Sequence, residues 1–327
     1  LSLRSGGSSD KYESPEIQLW SIAMTHHDLS WLSSRRYVSD GGLETDLIFH
    51  HGVDLPEFAS FPLVDDDRGR DLLRGYYDGY AEVARRAGAG LTMESPTWRA
   101  NPDWGARVGY GRADLARVNR ASIEFLQQLR DSYGDLDDVR VIGALGPRGD
   151  GYVAGERADP DEAADYHRAQ VEAFADAGAD VVAAYTLTGP EEGIGVARAA
   201  RTAGVPVWVG FTVETDGRLP DGTSLADAVA LVEEHESADG YVVNCAHPLH
   251  IGPGLDGGEW LSRIVQVNPN ASTQTHAELD AAEELDEGDL DLLATSYDHL
   301  RPMLPGLRVV GGCCGTDARH VAALWGA

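Results

Sequence analysis

The sequence predicts a single parallel (β/α)8 barrel. Three observations predict it: eight short β-branched runs, helical patterns rich in Ala, Arg, Asp and Glu between them, and about 290 residues for the whole alternation. The first run, Arg36 to Asp40, is followed by the Gly41–Gly42 pair. The second, Gly90 to Glu94, comes after "RDLLRGYYDGYAEVARRAGA", whose closing Ala-Gly-Ala step is a helix stop. Val139 to Leu145 forms the third, and "DEAADYHRAQVEAFADAGA" leads by the same stop into the fourth, Ala179 to Thr186. Val205 to Val213, Gly240 to Cys245, Arg263 to Asn268 and Leu307 to Gly312 complete the eight. An open doubly wound sheet fits less well. No phosphate-binding fingerprint precedes a helix, and "GGLETDL" lacks both dinucleotide spacing and a P-loop lysine.

No shift in composition marks a second domain, so the barrel is expected to run from 36 to 327. Residues 1–35 read as a flexible extension that Trp20 and Trp31 pack onto it. No run of about eighteen apolar residues is present, and the Gly/Ser-rich start lacks the apolar core of a secretory signal. A cytoplasmic location is expected.

The charge is one-sided: 54 acidic against 26 basic residues, a formal net charge of -28, with Lys11 the only lysine. Binding to phosphates needs clustered Lys and Arg, so nucleic acid and anionic membranes are poor partners. Dispersed acids such as "DAAEELDEGDLD" read as solvated faces, a halophilic-type surface suited to a salt-loving cytoplasm.

Three cysteines are too few and too badly placed for a disulfide framework, because the neighbours Cys313 and Cys314 could bond only with strain. In a barrel of this kind the chemistry sits at the C-terminal ends of the strands. Cys245 ends the sixth run, while Cys313 and Cys314 follow the eighth. All three therefore reach one mouth. Three thiolates without a fourth cysteine describe a zinc site with an open position, and Gly311, Gly312 and Gly315 allow the sharp turn that adjacent sulfurs need. Inert buried thiols, or a redox pair that leaves Cys245 unexplained, are the alternatives.

On these residues the chain resembles the zinc-dependent homocysteine S-methyltransferases. The resemblance spans Ser39 to Ala327 and rests on "SDGGLETDL", "VVNCAHP" and "GGCCGTD". It implies the (β/α)8 fold, zinc on Cys245, Cys313 and Cys314, and methyl transfer to a thiol, by default homocysteine. It also implies that Asp40, Gly41 and Gly42 contact the amino-acid end of the acceptor. The chemistry agrees with the residues: zinc deprotonates a thiol outright, and three thiolates leave the complex electron-rich enough for an added thiolate to attack a methyl carbon. Zinc touches only the acceptor, so the donor must be activated itself. With no cobalamin or folate module in view, a small methyl-onium compound of S-methylmethionine or betaine type is expected. Trp98 and Trp104 either face its positive charge or are packing aromatics. Asn244 either bonds a sulfur, fixes the loop or is a turn residue.

The pattern breaks at the fourth strand. Relatives usually carry a glutamate there that binds the substrate ammonium, and this chain has Tyr185. A neutral phenol is no counter-charge for an ammonium. Glu94 is the expected substitute, with Glu191 and Glu214 as weaker candidates. Arg99 pairs with Glu94, pairs with a substrate carboxylate, or is a surface residue. His247 and His250 follow Cys245 closely and read as loop residues. Two rivals remain: the same site serving a different thiol, and a zinc- or thiol-binding barrel without turnover.

Overall fold

The computed structural model describes residues 29–327. Trp20 and the extension up to residue 28 lie outside the described residues. Eight parallel strands close in sequence order into a barrel, and helices cover its outside. The strands are β1 (Tyr37–Val38), β2 (Gly90–Glu94), β3 (Val139–Leu145), β4 (Val181–Leu187), β5 (Val207–Phe211), β6 (Gly240–Asn244), β7 (Ile264–Asn268) and β8 (Val309–Val310). All eight predicted runs contain a strand, but β1 and β8 are two residues long. They are shorter than predicted, although Ser39 and Asp40 still bond Val310 and Gly312 across the join.

The Ala-Gly-Ala steps act as expected. Gly88 ends helix Asp67–Ala87 at φ 60°, and Gly178 ends helix Pro160–Ala177 at φ 80°, left-handed conformations that glycine adopts without a Cβ clash. Each stop turns the chain directly into the next strand.

Two apolar layers hold the barrel. The larger packs the helices onto the outer strand faces; the smaller fills the inside with Ile142, Ala144, Val181, Ala183, Trp208 and Val242. Trp31, in the short helix Ser30–Ser34, belongs to the inner layer. It is 8% exposed and stands edge-on to Tyr37 at 4.9 Å, with Trp208 at 6.0 Å. The bottom of the barrel is therefore plugged. No helix among the described residues is long and apolar enough to cross a membrane.

Candidate active site

Where β1 meets β8 the backbones approach to distances that only glycine permits. A Cβ on Gly311 would stand 2.3 Å from the Asp40 carbonyl oxygen, and one on Gly42 would stand 2.5 Å from that of Cys313. The Gly312 N–H donates to the Asp40 carbonyl at 2.8 Å, and the Cys313 N–H donates to that of Pro269 at 2.8 Å. These bonds turn the chain after β8 inward across the mouth, taking Cys313 and Cys314 with it.

Cys245 arrives from β6. Its φ of 59° lies in the left-handed region, which costs a residue with a Cβ about 1–2 kcal/mol. Its peptide is held by three bonds to the carbonyl: Thr212 Oγ1 at 3.2 Å, Asn270 Nδ2 at 3.0 Å and His276 Nε2 at 2.8 Å. Thr186, after Tyr185 on β4, shares the same strained conformation at φ 62°. Asn244 braces it: the Thr186 N–H donates to Asn244 Oδ1 at 2.9 Å, and Asn244 Nδ2 donates to Thr186 Oγ1 at 2.7 Å. Asn244 thus fixes the loop and bonds no sulfur.

The three sulfurs converge, all within 4.8 Å of one another. Cys245 Sγ is 2.7 Å from Cys313 Sγ and 3.6 Å from Cys314 Sγ. They cannot ionise independently. Burial pushes the Cys245 thiol up, a hydrogen bond with Cys245 pushes Cys313 up, and Cys314, which accepts from Cys245, falls well below the usual thiol range. A soft divalent cation would take the place of the protons that the trio now shares, so this donor set fits zinc. Tyr152, on the loop after β3, places its hydroxyl 3.3 Å from Cys245 Sγ and 3.2 Å from Cys314 Sγ. His276 stacks on that ring at 4.2 Å, and its Nδ1 lies 3.0 Å from Glu214 Oε1.

Beside the sulfurs lies a cavity of about 410 Å³. Asp40, Gly41, Gly42, Glu94, Arg99, Tyr185, Asn244, Cys245, Cys313 and Cys314 all line it. Glu94 Oε1 accepts from Ser39 Oγ at 3.0 Å, Gln266 Nε2 at 2.7 Å and Asn268 Nδ2 at 2.8 Å. The Tyr185 hydroxyl donates to Gln266 Oε1 at 3.3 Å, and burial keeps that phenol neutral. Asp40 accepts the Glu94 N–H at 3.0 Å. Burial holds both carboxyl groups above the usual range, and the charge of Glu94 raises Asp40 further. Neither forms an ion pair with Arg or His among the described residues. Two carboxylates thus stand in the mouth without a counter-charge.

The sequence model of the family described as homocysteine S-methyltransferase matches residues 37–327. The chain belongs to this family. It is therefore a methyltransferase. It is 26% identical to homocysteine S-methyltransferase 2 of Arabidopsis thaliana, over 88% of this chain and 91% of that one. It is 28% identical to homocysteine S-methyltransferase of Escherichia coli, over 73% and 80%. The oxidized form of the E. coli homocysteine methyltransferase MmuM superposes with a TM-score of 0.71 at 26% identity, covering 90% of this chain and 96% of that one. The metallated form of MmuM gives 0.73 at 24% identity, covering 91% and 98%, and speaks for the fold alone.

Within this family member the remaining sequence expectations resolve as follows. Trp98 and Trp104 each have a face under the Arg99 guanidinium, at 4.1 and 3.6 Å, and Trp98 also lines the cavity. Arg99 is no surface residue, at 8% exposure, and makes no ion pair with Glu94. Glu191 pairs with Arg157 and Glu214 with His276, and neither lines the cavity. His247 accepts the Leu249 N–H and stays outside the cavity; burial lowers it to about 4, so it is neutral. Tyr152 and His276 were missed. Tyr152 stands on a loop and His276 opens the short helix His276–Asp280, and neither position gives a signal in the sequence until the fold brings it to the sulfurs.

Proposed function

We propose that the chain transfers a methyl group from a small methyl-onium donor, of S-methylmethionine or betaine type, to the thiol of homocysteine, with zinc held by Cys245, Cys313 and Cys314. The convergence of these three sulfurs on one cavity carries the reading. A zinc ion bound there supplies the Lewis acidity that keeps an incoming thiol deprotonated at neutral pH. The relatives' names support homocysteine as the acceptor.

The chain's own residues do the positioning. Asp40, Gly41 and Gly42 stand at the end of β1 beside the Cys313 loop, where they suit the amino-acid end of the acceptor. Glu94 replaces the family's β4 glutamate as counter-charge for the ammonium. Its Oε1 is held by three neutral donors, which fix its orientation without neutralising it. Tyr185 donates to the Gln266 side chain, which in turn donates to Glu94, so it steadies Glu94 from the side where the glutamate is lost. As the acceptor sulfur forms its bond to the methyl carbon, the donor's bond to that carbon breaks and its electron pair leaves with the departing sulfur or nitrogen. The plugged barrel floor and the Tyr152 loop keep bulk water from competing for the methyl group. The three unpaired thiols suit a reducing compartment, the cytoplasm.

Purified, zinc-loaded protein in high salt should form methionine from homocysteine and S-methylmethionine, and Cys313→Ala should not. If about one zinc is bound per chain and no methionine appears with either donor type, homocysteine is not the acceptor.

A further inference from the structure

The cavity has one basic side chain. Asp40, Glu44, Glu94 and Asp150 line it together with Arg99, the sole Arg or Lys among its described residues. Arg99 is 8% exposed, and its guanidinium faces are covered by Trp98 and Trp104. Its edge is almost unused. One nitrogen donates to the Gly149 carbonyl at 3.3 Å, and Nε is buried with no partner. The two acids that feel its charge most are engaged elsewhere: Glu44 accepts from Ser60 Oγ at 2.7 Å, and Asp150 accepts the N–H groups of Tyr152 and Val153.

A buried guanidinium without a carboxylate is costly, and in a chain with 54 acidic residues a partner would be easy to supply. The two tryptophans fix its plane and leave its row of N–H donors free, which is the arrangement that receives a planar carboxylate through two parallel bonds. We infer that Arg99 anchors the carboxylate of one of the two small molecules that meet in this cavity. The identity of those molecules rests on the methyl-transfer reading, but the carboxylate preference does not need turnover to be seen. The division of labour follows: Glu94 and Asp40 take positive charge beneath the mouth, and Arg99 takes negative charge at its rim.

Calorimetric titration of the zinc-loaded protein tests this with two matched pairs. Homocysteine is compared with 3-aminopropane-1-thiol, and S-methylmethionine with (3-aminopropyl)dimethylsulfonium; the second of each pair lacks only the carboxylate. Arg99→Gln should weaken one carboxylated compound by roughly 10- to 100-fold and leave its decarboxylated partner unchanged. The affected pair tells whether acceptor or donor is held. Arg99→Lys, which keeps the charge but not the fork, should fall between and serves if the glutamine variant does not fold. Equal weakening of both members of each pair, or no weakening, overturns the inference, as does failure of the unmutated protein to prefer either carboxylated compound. Carboxylate-selective binding without methionine formation would sink the methyl-transfer reading alone.

Discussion

The side-chain amide of Asn244 grips Thr186 twice, accepting its N–H at 2.9 Å and donating to its hydroxyl at 2.7 Å. It thereby links the end of β6 to the end of β4, at two residues, Thr186 and Cys245, that both hold left-handed backbone. Asn244→Ala removes both bonds and leaves Thr186 strained and unsupported. It should cost roughly 2–4 kcal/mol in urea denaturation. It should also weaken zinc binding in competition with a chelator, although Asn244 touches no sulfur. Unchanged zinc affinity would show that the strained loop does not set the position of Cys245.

The exchange of a glutamate on β4 for one on β2 makes a paired prediction. Glu94→Gln should raise the KM for homocysteine roughly 10- to 100-fold, while 4-mercaptobutanoic acid, which lacks the amino group, should be indifferent. Tyr185→Glu alone sets two carboxylates side by side and should also impair the enzyme. The double variant restores one carboxylate on the other strand. It should recover much of the lost affinity, and additive losses would argue against a shared ammonium site.

Metal removal should be reversible. Dialysis against a chelator under reducing conditions should abolish methyl transfer and expose three titratable thiols, the number the chain contains. Returning zinc should protect them and restore activity at about one ion per chain. Thiols that react equally with and without zinc would exclude Cys245, Cys313 and Cys314 as the ligands.

Glu44 makes stability depend on pH. Burial raises its carboxyl from the usual 4.5 to about 7. Between those values the folded protein holds a proton that the unfolded chain has released. Stability therefore falls as pH rises through this window and stays lower above it. Glu44→Gln removes the penalty, so the variant should be more stable than the unmutated protein by about 1–3 kcal/mol at pH 8 and nearly equal to it at pH 4. Denaturant midpoints at the two pH values decide the matter, and a difference that does not change with pH would refute it.

The strands were legible because a parallel strand buried on both faces must be a continuous apolar run, and Val139–Leu145 and Val181–Leu187 are little else. The cysteines were legible because each closes such a run. What the sequence could not disclose is where loop side chains point. Tyr152 lies 93 residues before Cys245 and reaches it only through the fold. Trp98 and Trp104 were open to two readings because nothing in the order of residues shows that Arg99 folds back between them. Glu94 was proposed as a substitute from its place at a strand end; its three side-chain donors, Ser39 just past β1 and Gln266 and Asn268 on β7, become visible only when the ring is closed.

The join between β1 and β8 consists of two residue pairs, Tyr37 with Val309 and Val38 with Val310, and it is made by parts of the chain more than 270 residues apart. Such a distant pairing forms late and frays early, because most of the chain must be ordered before it gains anything. The sulfurs tie the same last strand back across β7, two lying beyond β8 and one beyond β6. An ion held there acts as a clasp on the hoop, drawing the last strand inward. Metal content would then report on the architecture as well as the chemistry. In hydrogen exchange the zinc-free protein should open first at Tyr37, Val38, Val309 and Val310, while the long central strands stay protected.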